Sequence, residues 1–96
     1  MARIIARIIV TRHAGAVEWL RQQGITGEVI AHATPEDVRG REVYGVLPLH
    51  LAAEAAAVHV IDVPNLTPEQ RGQDLTPAEM DAAGAHLCTY RVEEIG

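Results

Sequence analysis

The stretch Ile5-Ala6-Arg7-Ile8-Ile9-Val10-Thr11-Arg12-His13-Ala14-Gly15-Ala16-Val17-Glu18-Trp19-Leu20 changes its pattern at one point. Up to Val10 it is a nearly continuous apolar run, the pattern of a strand buried on both faces. From Ala14 onward Ala16, Val17 and Leu20 recur at helical spacing, and Gly24 supplies a C-terminal stop. Thr11-Arg12-His13 therefore lies where a strand ends and a helix begins. Free backbone N–H groups and the positive end of the helix dipole collect there. A guanidinium and an imidazole at that place suit a phosphate group and offer a proton carrier near neutral pH.

Strand and helix patterns continue to alternate. Residues 3–10 read as the first strand and 14–23 as the first helix. A short second strand at 27–31 ends at His32, and a third spans 42–47. An Ala-rich helix at 49–57 precedes a fourth strand at 58–63, which runs into Pro64-Asn65. Thr67-Pro68-Glu69-Gln70 and Thr76-Pro77-Ala78-Glu79 both read as capping boxes with Pro at the first helical position. The second box opens a helix with Met80, Ala83 and Leu87 on one face, and residues 87–92 read as a fifth strand at a sheet edge. This alternation predicts one α/β domain over residues 1–96, with three layers and a mostly parallel sheet of about five strands. Residues 33–41 are fewer than a parallel crossover normally uses. They require either a very short helix or an antiparallel strand.

Composition narrows the function. The 96 residues carry a net charge of −5, which argues against wrapping long nucleic acid. A small anion held by a few local charges remains open. All eight basic residues are arginine, the residue suited to bidentate phosphate contacts. With 48% hydrophobic residues the chain can fold, but only three residues are aromatic. The core must come from Ile, Val, Leu and Ala, and so small a core favours dimerisation. Trp19 reads as a core or dimer contact. Cys88 is alone, which excludes a disulfide framework and a Cys-based zinc site and fits a reducing compartment. No apolar stretch approaches a membrane span, and the first residues lack the pattern of a signal peptide. The expectation is a cytoplasmic protein with no membrane partner.

In a mostly parallel sheet, ligands bind outside the carboxyl ends of the strands. Four segments meet there: Thr11-Arg12-His13, His32, residues 45–50 and residues 62–72. Arg12 and Arg71 are the candidate phosphate ligands, and His13 and His50 the candidate acid/base groups. Thr11, Gly15, His32, Gly45, Leu47, Pro48, Asn65 and Gly72 are candidates for lining the ligand. Gly45 and Gly72 would let it approach the backbone. His59 and His86 read as structural. No carboxylate or spacing signature supports a His13–His32–His50 metal site, so neither metal nor cofactor is expected.

The run Thr11-Arg12-His13-Ala14-Gly15-Ala16-Val17-Glu18-Trp19-Leu20 resembles the signature of a small family of type III CRISPR-associated accessory proteins. Gly45-Val46-Leu47-Pro48, Leu51-Ala52-Ala53-Glu54 and Arg71-Gly72-Gln73-Asp74-Leu75 resemble later elements of that family in the same order. Family members often carry Pro where this chain has Ala14. The resemblance implies a Rossmann-like homodimeric ring nuclease that binds cyclic oligoadenylate, with cyclic tetra-adenylate favoured. It implies metal-independent opening of the ring by attack of a ribose 2′-OH. The alternative is a sensor or sponge that binds the ring without cleaving it.

Overall fold

The computed structural model describes residues 7–71 and 73–96. Five strands form one sheet: β1 (Arg7–Val10), β2 (Glu28–Ile30), β3 (Glu42–Gly45), β4 (Ala57–Asp62) and β5 (His86–Tyr90). Their order is β2-β1-β3-β4-β5. The first four run parallel, and β5 pairs antiparallel with β4 at the edge. The fold expected from the alternation is therefore present. The portion of the first strand expected at residues 3–6 lies outside the described residues.

Helix α1 (Ala14–Gln22) and α4 (Pro77–Ala82) cover one face of the sheet, and α2 (Pro35–Val38) and α3 (Leu49–Ala52) cover the other. Strand alternation sorts the core between these layers. Ile8, Val43 and Val58 meet Val38, Leu51 and Ala52 on the α2/α3 side. Ile9 and Tyr44 meet Trp19, Leu20 and Met80 on the α1/α4 side. Trp19 is thus a core residue, buried to 3% exposure, with its indole N–H donating to Asp81 at 2.8 Å. Both helices of that layer end in the same way. Ile25 N–H reaches the Leu20 carbonyl and Ala85 N–H the Met80 carbonyl, around left-handed Gly24 and Gly84.

The short link between β2 and β3 is resolved by α2, a single turn opened by Thr34-Pro35. The Thr34 backbone N–H and hydroxyl both donate to Asp37, at 2.8 and 3.0 Å. Those two bonds, the backbone one foremost, hold the Asp37 carboxyl below its ordinary pKa.

Three expectations are corrected. The helix expected over 49–57 stops after Ala52, because Gly40 N–H is bonded to Glu54 O and Ala56 N–H to Arg41 O. Those bonds draw the chain into register beside β3, and tertiary pairing overrides the helix preference of alanine. The Thr67 box forms only a turn: Gln70 bonds back to Thr67 N–H at 3.1 Å, but no helix follows. Residues 69–74 offer no apolar side chain to bury, and an isolated turn is not self-sustaining. Leu87 belongs to β5, where it still packs on the α1/α4 cluster.

Candidate functional site

From β1 the chain moves to β2 on one side, and from β3 it moves to β4 on the other. The connections therefore diverge between β1 and β3, and such a switch point leaves a crevice outside the carboxyl ends. A cleft of about 500 Å³ opens there. Ile9, Leu20, Ile61 and Met80 form its apolar floor, while Thr11, Arg12 and His13 bring polar groups to its rim. An apolar hollow with few convergent polar groups is the usual form of a small-molecule site. A second hollow of about 120 Å³ adjoins it, sharing His13, Ala16 and Met80 and reaching Gln73 and Leu75.

Gly45 keeps the crevice in shape. Its φ is +147°, and a Cβ there would stand 2.2 Å from the Val10 carbonyl oxygen of the neighbouring strand. Gly45→Ala should destabilise the fold by about 2 kcal/mol or more through backbone strain and the forced separation of β1 and β3. Denaturant unfolding checks this, and an unchanged midpoint would contradict it.

The rim carries two side-chain pairs. Arg12 donates to His32 Nε2 at 3.1 Å across the ends of β1 and β2. Because a guanidinium can only donate, a ring nitrogen of His32 accepts; Nε2 is the nearer, with Nδ1 of the same ring at 3.5 Å. His13 Nδ1 donates to the Asp74 carboxylate. This contact fixes the His13 tautomer and leaves Nε2 as a proton acceptor. Gly15 makes the second pair possible, since a Cβ there would lie 1.8 Å from Leu75 O. Only glycine lets the first turn of α1 press against the segment that carries Asp74. His13 caps α1 through its backbone, with no side-chain cap and no acidic residue in the first turn. The charge of the helix start is therefore uncompensated from within the helix.

Thr11 accepts the His13 N–H at 3.1 Å, which tightens the turn into α1. Leu47 packs onto the α2/α3 cluster and Pro48 precedes α3, so both are placed in the scaffold. His50 is not brought to the cleft. It borders a separate hollow with Leu49, Val92 and Glu93. Asn65 packs its amide against Gly84 beyond β4, and its N–H donates to Ala83 O at 3.0 Å. Arg71 is exposed in the turn before Gln73, on the loop that borders the smaller hollow, and Gly72 lies outside the described residues. Asp74 was not singled out from the sequence. His59, expected to be structural, stacks on Tyr44 at 4.3 Å between Glu42 and Thr89. No helix among the described residues is long and apolar enough to cross a membrane.

Fold and site together define a small doubly wound α/β domain whose switch-point cleft is rimmed by Arg12–His32 and His13–Asp74. A family model described as "Putative CRISPR-associated protein (Cas_VVA1548)" matches residues 8–93, and the chain belongs to that CRISPR-associated family. No curated protein and no solved structure matches the chain.

Proposed function

We propose that this protein is a cytoplasmic ring nuclease of type III CRISPR immunity, which opens cyclic oligoadenylate, cyclic tetra-adenylate foremost, and so switches the response off. The observation that carries the reading is that Arg12 and a His13 oriented by Asp74 both line the switch-point cleft. His13 Nε2 accepts the proton of a ribose 2′-OH, and the 2′ oxygen attacks the adjacent phosphorus. The bond to the 5′ oxygen breaks, that oxygen takes a proton from water, and the hydroxide left recovers the proton held on His13, which returns the enzyme to its starting state. The product is linear, with a 5′-OH and a 2′,3′-cyclic phosphate. Arg12, the start of α1 and Arg71 from its loop stabilise the charge on the phosphoryl oxygens. Asp74 is the one carboxylate the described structure holds against the cleft's rim, and it is engaged by His13, so the route is written with the protein's own groups. A four-nucleotide ring exceeds what one cleft of this volume encloses, which supports a two-fold homodimer presenting the cleft twice.

Incubation with cyclic tetra-adenylate in excess EDTA, followed by chromatography, tests the reading. The expected result is linear oligoadenylate ending in a 2′,3′-cyclic phosphate. Intact ring at high protein concentration would end the catalytic claim. The second reading, a sponge, is favoured by one observation: His50 lies away from the cleft, so among the described residues lining it His13 is the one histidine. Calorimetry showing one tightly bound, uncleaved ring per two chains would establish the sponge.

A further inference from the structure

We propose that Asp62, His86 and Cys88 form a binding site for one Zn²⁺ ion on the face of the sheet opposite the cleft. The antiparallel register sets Asp62 directly across from His86 and Val60 across from Cys88. All three side chains therefore leave the sheet on the side of Val60, which packs toward α2 and α3. Ile61 and Leu87 leave it on the cleft side.

One carboxylate oxygen, one imidazole nitrogen and the thiol lie within 4.8 Å of one another. Donors on a tetrahedral zinc ion, at about 2.0–2.3 Å from the metal, stand roughly 3.5 Å apart. Asp62 Oδ2 and His86 Nε2 are already separated by 3.5 Å. The Cys88 sulfur lies within 4.8 Å of both.

A second observation shows the imidazole held for this task. His86 Nδ1 donates to the Gly84 carbonyl at 3.0 Å, so Nε2 carries the lone pair that faces Asp62. Metal-binding histidines are commonly fixed in this way, with the other ring nitrogen bonded to a backbone carbonyl or carboxylate. Left-handed Gly84 closes the end of α4 and orients that carbonyl. The position of Gly84 thus serves both the helix end and the histidine.

The donor set selects the metal. A thiolate, an imidazole and a carboxylate suit Zn²⁺ and not Mg²⁺ or Ca²⁺, which take oxygen ligands. Water fills the fourth position. Binding releases the Cys88 thiol proton to solvent and forms the Zn–S bond. The sequence reading excludes a Cys-based zinc site because Cys88 is alone; that holds for a site of several thiolates, and this proposal departs from it because a mixed set needs only one. The bound ion would tie the edge strand β5 to the end of β4 in a domain with a small core.

The test uses the full chain without an affinity tag, reduced, and titrated with Co²⁺ as a spectroscopic substitute and then with Zn²⁺. One Co²⁺ per chain should bind with a near-ultraviolet thiolate-to-metal band. Cys88→Ser should abolish that band, and His86→Gln and Asp62→Asn should weaken Zn²⁺ binding tenfold or more. Saturating Zn²⁺ should raise the wild-type melting temperature by on the order of ten degrees, and the Cys88→Ser melting temperature much less. No saturable band, a band that survives Cys88→Ser, or Zn²⁺ affinity unchanged in all three variants would overturn the site. None of these readouts uses ring cleavage, so the site stands or falls apart from the proposed activity.

Discussion

If the protein opens cyclic oligoadenylate as proposed, replacing Arg12 with alanine should lower that rate by on the order of a hundredfold or more, with the fold intact. Arg12 stands at the end of β1, beside the start of α1, where backbone amides already attract an anion. Its guanidinium supplies fixed positive charge to oxygens that gain charge as the 2′ oxygen attacks, and one such donor commonly carries that much rate. Arg12→Lys rescues poorly, because an ammonium does not reproduce a two-pronged contact. On the proposed reading, Arg71→Ala should weaken ring binding as well as turnover, because Arg71 sits on the loop that borders the smaller hollow. Steady-state kinetics with cyclic tetra-adenylate check all three. A folded, fully active Arg12→Ala protein would show that the cleft is misassigned.

Asp74→Asn produces the second large loss, roughly a hundredfold or more in kcat with little change in KM. The carboxylate accepts from His13 Nδ1 and so leaves Nε2 able to take a proton. An amide can donate to Nδ1 instead, which puts the ring proton on Nε2 and removes the base. His13→Ala should match that loss, and the double variant should be no worse than either single one, because the two residues act as a unit. Losses that multiply in the double variant would separate Asp74 from His13.

Legibility varied from element to element. The β1–α1 junction is readable because the hydrophobic period changes at Thr11, and the start of α4 because Thr76 and Glu79 bond each other's backbone N–H groups. Helix α3 is shorter than its alanine-rich composition predicts, because the bonds from Ala56 to Arg41 and Gly40 to Glu54 join segments far apart in sequence. Asp74 escaped notice because it lies 61 residues from His13 in a polar loop, and only the contact through Gly15 brings it back. The segment Arg71-Gly72-Gln73-Asp74-Leu75 was legible as a family element, but nothing local distinguishes its aspartate from a solvated one. His50 misled because it follows β3 closely, yet Pro48 starts α3 and carries it to another face. Asp62, His86 and Cys88 meet only through the register of β4 and β5, which no local pattern encodes.

The central claim is that the ring binds at the cleft bordered by Arg12 and His13, with His32 held against Arg12. Nitrogen-edited NMR of the histidine side chains tests it most directly, using a 2′-deoxy cyclic tetra-adenylate that lacks the attacking hydroxyl and stays intact. The chain has five histidines, so each ring can be assigned by single substitution. Adding the analogue should shift the His13 and His32 resonances together and leave His50, His59 and His86 in place. Shifts at His50 or His86, with His13 and His32 unmoved at saturation, would contradict the account.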